Sequence, residues 1–106
     1  MAVVIIDPTF DILMWTPQAS ELWGLEPDQA EGRSLFHLDI GPPMGALAIR
    51  VQSLLAGQSA CELLVLDAIH RLGQPIHCCI TCTPLFGTVH DIQGAILLME
   101  AKETHG

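Results

Sequence analysis

The chain has 106 residues, with 12 acidic side chains against 4 Lys and Arg, a formal net charge of −8 and 50% hydrophobic residues. Its length fits one domain with one hydrophobic core, and its hydropathy excludes a disordered chain. The four basic residues are scattered and cannot neutralise a run of phosphates, which argues against nucleic acid and an anionic membrane surface as partners. Charged residues make up only 15% of the chain, against about 25% in typical domains. We therefore expect part of the apolar surface to be covered by something outside this segment.

No part of the sequence predicts a membrane span or a signal peptide. No apolar run approaches the ~18 residues that a span requires. The N-terminal residues MAVVIIDP lack the basic flank and the cleavage site of a signal peptide. The expected location is cytoplasmic.

The chain opens with two short strands and a helix. Runs of Val, Ile and other apolar residues predict strands over Ala2–Ile6 and Ile12–Trp15, joined by an Asp-Pro turn into a hairpin. Thr16 is suited to cap a helix over Pro17–Trp23, because Pro is favoured at the first helical position. Gly24 is well placed to end that helix.

The middle of the chain contains the clearest helical pattern. Leu25–Ile40 has no sustained period and predicts short helical turns and loop. After the Gly-Pro-Pro of residues 41–43, apolar side chains recur at helical spacing, which predicts an amphipathic helix from Met44 to Leu55 with Gly57 as its stop.

Three further strands are predicted, over Ala60–His70, Ile76–Leu85 and Ile92–Ala101. Short connections within each group of strands favour antiparallel pairing. The element order strand, strand, helices, strand, strand, strand therefore predicts an α+β domain, with an antiparallel sheet and helices packed on one face.

The predicted strands are apolar on both sides. Leu63, Val65 and Ile69 lie on one side of their strand, with Leu64, Leu66 and Ala68 on the other, and in the last strand Ile92, Ile96 and Leu98 oppose Ala95, Leu97 and Met99. An antiparallel sheet with one face in water alternates apolar with polar residues. Because the helices can cover only one face, we expect a partner chain or a flanking helix on the other.

Two segments resemble a PAS domain, the sensory module of signalling proteins. The first is VVIIDPTFDILMWTPQASELWGL, in which Asp7 ends a strand, Trp15 ends the next and Gly24 follows a helix; Gly32 then fits the glycine expected a few residues on. The second is LGQPIHCCITCTPLFGTVHDIQGAILLM, with a turn glycine, Pro-Leu at a strand end and Gly94 in the last strand. The resemblance covers roughly residues 2–101.

The sequence departs from the PAS pattern at two positions. Thr16 stands where Asn is usual, and it retains the ability to cap the helix. The Asp-x-Thr motif that often couples the sheet to the next helix is missing, and Glu100 is the one candidate to replace it in signal output.

The resemblance implies a single PAS-like domain over residues 1–106, with a core at about 2–101 and a tail, 102–106, leading to an effector. Its fold would be a five-stranded antiparallel sheet with helices on one face and a pocket between them. Its outer sheet face would dock a second protomer or a flanking helix. The implied function is sensing and dimerisation in a bacterial sensor histidine kinase. Alternatives are a chemotaxis methyltransferase, a cyclase-type protein, or a sensor that binds haem or a small metabolite.

The pocket that the resemblance implies would be lined by Trp23, Phe36, His37, Met44, Leu47 and Val51. His37 is the candidate axial ligand for haem, with a surface or locally hydrogen-bonded histidine as the alternative. The flavin photosensors of the PAS class link their cofactor to a cysteine in the helical segment, within an Asn-Cys-Arg-type motif. Leu35–Ile40 holds no cysteine, so the resemblance does not extend to a cysteine-linked flavin. The methionines and aromatic residues are equally consistent with ordinary core packing, and Arg50 with a charge that faces solvent.

The cysteines and remaining polar residues do not predict chemistry. Cys79 and Cys82 have the spacing of zinc and redox motifs, but on a strand they face opposite sides, and Cys78 and Cys82 lie roughly 13 Å apart. We interpret them as small apolar residues, with a cross-strand contact between Cys61 and Cys78 left open because the register is unknown. No triad order, phosphate loop or paired-carboxylate motif is present, so we expect no enzymatic activity from this segment.

Overall fold

The computed structural model describes residues 1–38, 44–88 and 91–103. Its elements in chain order are β1 (Ala2–Ile6), β2 (Ile12–Trp15), α1 (Pro17–Trp23), α2 (Pro27–Ala30), a 3₁₀ turn (Leu35–His37), α3 (Met44–Leu55), β3 (Glu62–Ile69), β4 (Pro75–Phe86) and β5 (Ile92–Glu103). The strands form one antiparallel sheet in the order β2-β1-β5-β4-β3. The predicted α+β fold class is confirmed.

The predicted bounds of the first three elements and of α3 agree with the structure, and the three later strands differ from their predicted bounds at one or both ends. β3 is shorter than the predicted Ala60–His70. β4 begins at Pro75. Proline has no backbone N–H to donate to a neighbouring strand, and it is tolerated at the first residue of a strand. β5 continues to Glu103, because Ile76 of β4 pairs with that residue, so part of the predicted tail belongs to the sheet. The expected helix opening at residues 41–43 lies outside the described residues.

The start of α1 is fastened to the first strand by one side chain. The Thr16 hydroxyl oxygen accepts a hydrogen bond from the Ala19 N–H at 3.4 Å and another from the Val3 N–H at 3.0 Å. At the other end, Gly24 adopts φ +87° and donates its N–H to the Ser20 carbonyl at 2.8 Å. The predicted cap and stop are therefore confirmed, and Thr16 also fixes the helix against the sheet.

The hydrophobic core lies between the helices and one face of the sheet, which we call the inner face. Its fully buried side chains include Val4, Ile6, Trp15, Leu35, Leu47, Val51, Leu54, Cys78, Ile80, Cys82, Leu97 and Met99. The Trp23 indole N–H donates to the Met99 sulfur at 3.3 Å, which joins α1 to β5. Phe10 packs edge-on against Phe36, with 4.6 Å between ring centroids.

Gly94 permits the close approach of β5 to the end of β1. A Cβ at this position would lie 2.0 Å from the carbonyl oxygen of Ile6, closer than any side chain tolerates. The last strand therefore reaches its place between β1 and β4 only with glycine here.

None of the helices in the described ranges has the length and apolar character that crossing a bilayer requires.

Candidate functional site

The side chains that point away from the helices form the second face of the sheet, which we call the outer face. Its large apolar residues are unusually accessible: Leu63 is 72% exposed, Val65 67%, Ile69 54% and Met14 45%. The predicted division of β3 is confirmed, because Leu64 and Ala68 are buried while Leu63, Val65 and Ile69 are not.

The strand register arranges most of the outer face in two apolar rows. In one, Val3, Leu98, Thr81 and Leu63 are successive cross-strand partners from β1 to β3. In the other, Met14, Ile5, Ile96 and Thr83 follow one another from β2 to β4. We call these eight residues the apolar rows. Side chains directly opposite each other lie about 5 Å apart, so each row is a continuous surface.

The end of the outer face near the C-terminus of β5 is polar. Lys102, His77 and Asp67 are successive cross-strand partners on β5, β4 and β3, and we call them the charged row. His77 Nδ1 lies 2.8 Å from Asp67 Oδ1. Between this row and the apolar rows lie Glu100, Cys79 and Val65, again in register. The predicted output residue, Glu100, is thus an exposed side chain beside the charged row.

The residues predicted to line a ligand pocket do not share one environment. Trp23, Leu47 and Val51 are buried in the core. Phe36 and Met44 are half-buried and pack against that core, whereas His37, at the end of the 3₁₀ turn, is exposed. The structure thus places the candidate haem ligand at the surface, apart from the three buried members of the set.

Among the clefts that open between described residues, three have volumes of 300 to 480 Å³, and their linings include none of those six side chains. The largest lies where the turn after α3 meets the ends of the strands, and its lining is Gly57, Gln58, Ser59, Ala60, Thr83, Pro84, Phe86 and Ile92. Sequence reasoning missed this cleft because residues far apart in the chain form it.

The four cysteines are free thiols in two environments. Cys78 and Cys82 are buried on the inner face, and burial raises the pKa of each thiol to about 12. Cys79 is half-buried on the outer face and Cys61 is exposed. The possible contact between Cys61 and Cys78 is wrong, because Cys78 pairs with Leu66 in the middle of β3, whereas Glu62, next to Cys61, pairs with Cys82.

The remaining candidates have simple local roles. The Arg50 guanidinium lies 3.1 Å from the Glu62 carboxylate at the surface, which agrees with the solvent-facing alternative. Across the described ranges, no three His, Cys, Asp or Glu side chains are grouped so that they could hold a metal ion.

Comparison with solved structures places this architecture among PAS domains. The PAS domain of a Colwellia psychrerythraea protein superposes with a TM-score of 0.77 at 21% identity, over 95% of this chain and 85% of that one. The PAS domain of the histidine kinase ThkA gives 0.73 at 18% identity, over 94% and 99%. Neither family models nor curated proteins give a match.

Vibrio cholerae VqmA, in a complex with ligand and DNA, gives a TM-score of 0.81 at 16% identity. The match covers 94% of this chain and 45% of the VqmA chain, so this chain spans about half the length of that protein. Another VqmA structure is described as a dimer. At these identities the likeness concerns the fold, and the chain has the PAS fold.

Proposed function

We propose that this chain is the sensory and dimerisation PAS module of a bacterial signal-transduction protein, with a cytoplasmic sensor histidine kinase as the parent. The observation that carries the proposal is the outer face of a sheet whose helices cover only the inner face. Leu63, Val65 and Ile69 are exposed there, as is Met14, and the other members of the apolar rows are half-buried. The PAS fold and the likeness to the ThkA domain support the signalling role. The segment itself performs no catalysis, and an effector follows it in the parent chain.

A second copy of this chain is the proposed occupant of the outer face. With a net charge of −8, two copies repel each other over most of their surface. Among the described outer-face residues only Asp67, Glu100 and Lys102 carry a formal charge at neutral pH, so repulsion is weakest here. Covering Leu63 and Val65 removes apolar area from water, at about 25 cal/mol per Å².

The association state tests this proposal. We expect sedimentation equilibrium to give a concentration-dependent dimer, and Leu63→Arg to convert it to monomer because the charge is placed in an apolar row. Leu72→Arg is the matched control, since Leu72 is 70% exposed but lies in the turn between β3 and β4. A chain that stays monomeric at millimolar concentration, or a dimer equally sensitive to both variants, contradicts the proposed surface.

A ligand-sensing role is the second candidate, favoured by the ligand in the VqmA complexes. The pocket would use the predicted set Trp23, Phe36, His37, Met44, Leu47 and Val51. Native mass spectrometry and an absorbance spectrum of freshly purified protein test this. A bound mass or a Soret band supports it, and His37→Ala should remove the band if His37 ligates haem. Protein without bound mass or band contradicts the sensing role for the purified segment.

The parent's effector has alternatives, a chemotaxis methyltransferase or a cyclase-type protein. In each, the C-terminal end of β5 would transmit the signal, with Glu100 at the position of output. Substituting Glu100→Gln in the parent protein should change the signalling response without changing the fold, measured as effector activity beside the circular dichroism spectrum. Unchanged activity would remove Glu100 from the output path.

A further inference from the structure

The charged row carries opposite charges at its two ends. Lys102 on β5 and Asp67 on β3 flank His77 on β4, and neighbouring strands lie ~4.8 Å apart, so the two ends are roughly 10 Å apart. Within the described residues the Lys102 ammonium has no ion-pair partner, whereas Asp67 contacts His77 with one of its oxygens. The other oxygen of Asp67 remains free to accept a second cation.

Two copies of one face that pack against each other are related by a two-fold axis lying in the plane between them. Three directions of that axis are natural for this sheet: along β4, along β5, or across the strands. The strands of two packed sheets stay within about 30° of alignment. For each axis, the strand register within one copy therefore determines which residues of the two copies face each other.

An axis along β4 places β5 of one copy over β3 of the other. Lys102 then faces Asp67 of the second copy, and this ion pair occurs twice by symmetry. In the apolar row, Leu98 likewise faces Leu63, while His77, Cys79 and Thr81 on β4 each face their own equivalents. Glu100, opposite Val65, is the one formal charge among the described outer-face residues of these three strands without an opposite charge across the axis.

The other two axes bring charges into unfavourable places. An axis along β5 places Lys102 against Lys102 and Glu100 against Glu100 of the second copy, and like charges in direct opposition repel. An axis across the strands at the middle of the outer face, between the levels of Leu98 and Glu100, inverts the rows, so that Lys102 lies over the apolar Ile96 and Glu100 over Leu98. A charge that is removed from water without a partner is costly, and this axis leaves both charges unpartnered, whereas the axis along β4 leaves Glu100 alone in that position.

We infer that the two copies pack in parallel about an axis along the outer side of β4, with Lys102 of each paired to Asp67 of the other. This inference rests on the proposed homodimer and adds its geometry. The C-terminal ends of both β5 strands then lie at the same end of the dimer. Two effector domains that follow them would leave side by side, so a shift between the copies is passed to both at once.

Chemical cross-linking tests the position of the axis. Packed sheets are ~10 Å apart, too far for a disulfide but suited to a bis-maleimide with a two-carbon spacer. In a Cys61→Ser background, Cys79 is the accessible thiol of the described outer face, because Cys78 and Cys82 are buried. We expect Cys79 to link two copies. With Cys79→Ser added, Thr81→Cys on the axis should also link them, and its cross-strand partner Leu98→Cys should link at least tenfold more slowly.

The outcomes separate this inference from the proposal beneath it. A protein that is monomeric by sedimentation and gives no cross-link overturns both. A dimer that is linked through Leu98→Cys rather than Cys79 places the axis on β5, and a dimer linked at neither position excludes parallel packing about β4. In these two cases the proposed homodimer is retained and its proposed geometry is rejected.

Exchanging the charges gives an independent check. Lys102→Glu and Asp67→Lys should each weaken the dimer roughly tenfold, because each replaces two attractive contacts with two repulsive ones. The double variant should regain most of the affinity of the original dimer, measured by sedimentation equilibrium. If the losses add instead, the two residues do not meet.

Discussion

The inner and outer faces of the same sheet both carry large apolar side chains and have opposite environments. On β5, Leu97 is fully buried and its neighbour Leu98 is only half-buried; on β3, Leu64 is 9% exposed and Leu63 is 72% exposed. Helices account for the burial of the inner face. Nothing within the described residues accounts for the apolar side chains of the outer face.

This difference shows that the apolar composition of a sheet face does not by itself determine whether that face is buried within the domain. Sheets that meet water on one side normally carry polar residues there. The apolar rows keep the composition of a buried surface, and the charged row marks where that surface ends. We propose that this segment is one half of an interface, which would explain the low charge content of the chain.

Thiol reactivity should separate the two faces most strongly. Cys78 and Cys82 have pKa values raised to about 12 by burial and react only when the domain opens. With ~5 kcal/mol of stability, opening limits their alkylation at pH 8 to roughly a thousandth of the rate of exposed Cys61, or less. Mass spectrometry after timed alkylation measures this. Comparable rates for Cys61 and Cys78 would mean that the inner face is not a closed core.

Two adjacent leucines offer a matched test of stability. Leu97→Ala should lower the free energy of unfolding by about 3 kcal/mol, because it empties a fully buried site. Leu98→Ala should cost about 1 kcal/mol or less in dilute protein, and more as concentration increases and the outer face is covered. Urea denaturation at two protein concentrations gives both values. Equal losses from the two variants would contradict the distinction between the faces.

The hydrogen bonds of Thr16 connect the start of α1 to β1, and substituting this residue should weaken that connection. Thr16→Ala removes the acceptor of the Val3 and Ala19 N–H groups and should cost about 1 kcal/mol. Thr16→Ser is the control, since it keeps the oxygen. A similar loss in both variants would show that the methyl group rather than the hydrogen bonds matters.

The smallest effect is expected at the turn between β1 and β2, which belongs to neither face. The Thr9 hydroxyl donates to Asp7 at 2.7 Å and lowers the pKa of that carboxyl below its ordinary value of 3.8. A lowered folded-state pKa stabilises the domain above the unfolded value, and the stabilisation is lost as pH falls through the folded value. Thr9→Val should raise the Asp7 pKa in an NMR titration, and an unchanged value would assign the shift to the backbone donors.

Local signals predicted the first half of the fold well. Thr16, Pro17 and Gly24 act on their nearest neighbours, so the bounds of α1 follow from the sequence. The ends of β3 and β5 do not, because they depend on how far each strand finds a partner on β4. The contact suggested between Cys61 and Cys78 failed for the same reason.

The most informative feature of the candidate site, the charged row, could not be predicted from the sequence. The sequence predicted apolar residues on both sides of the strands, which is a property of each strand alone. The alignment of Lys102, His77 and Asp67 across three strands depends on the register, which no single strand contains. The exposure of His37 is equally non-local, since it depends on how the 3₁₀ turn packs against the core.

Methyl NMR of the chain between micromolar and millimolar concentration tests the central claim most directly. If a second copy covers the outer face, the methyl signals of Leu63 and Val65 should shift with concentration, while those of Leu64, buried on the same strand, should stay in place. Signals that are unchanged on both sides of β3 across this range, or that shift equally on both, would contradict the account.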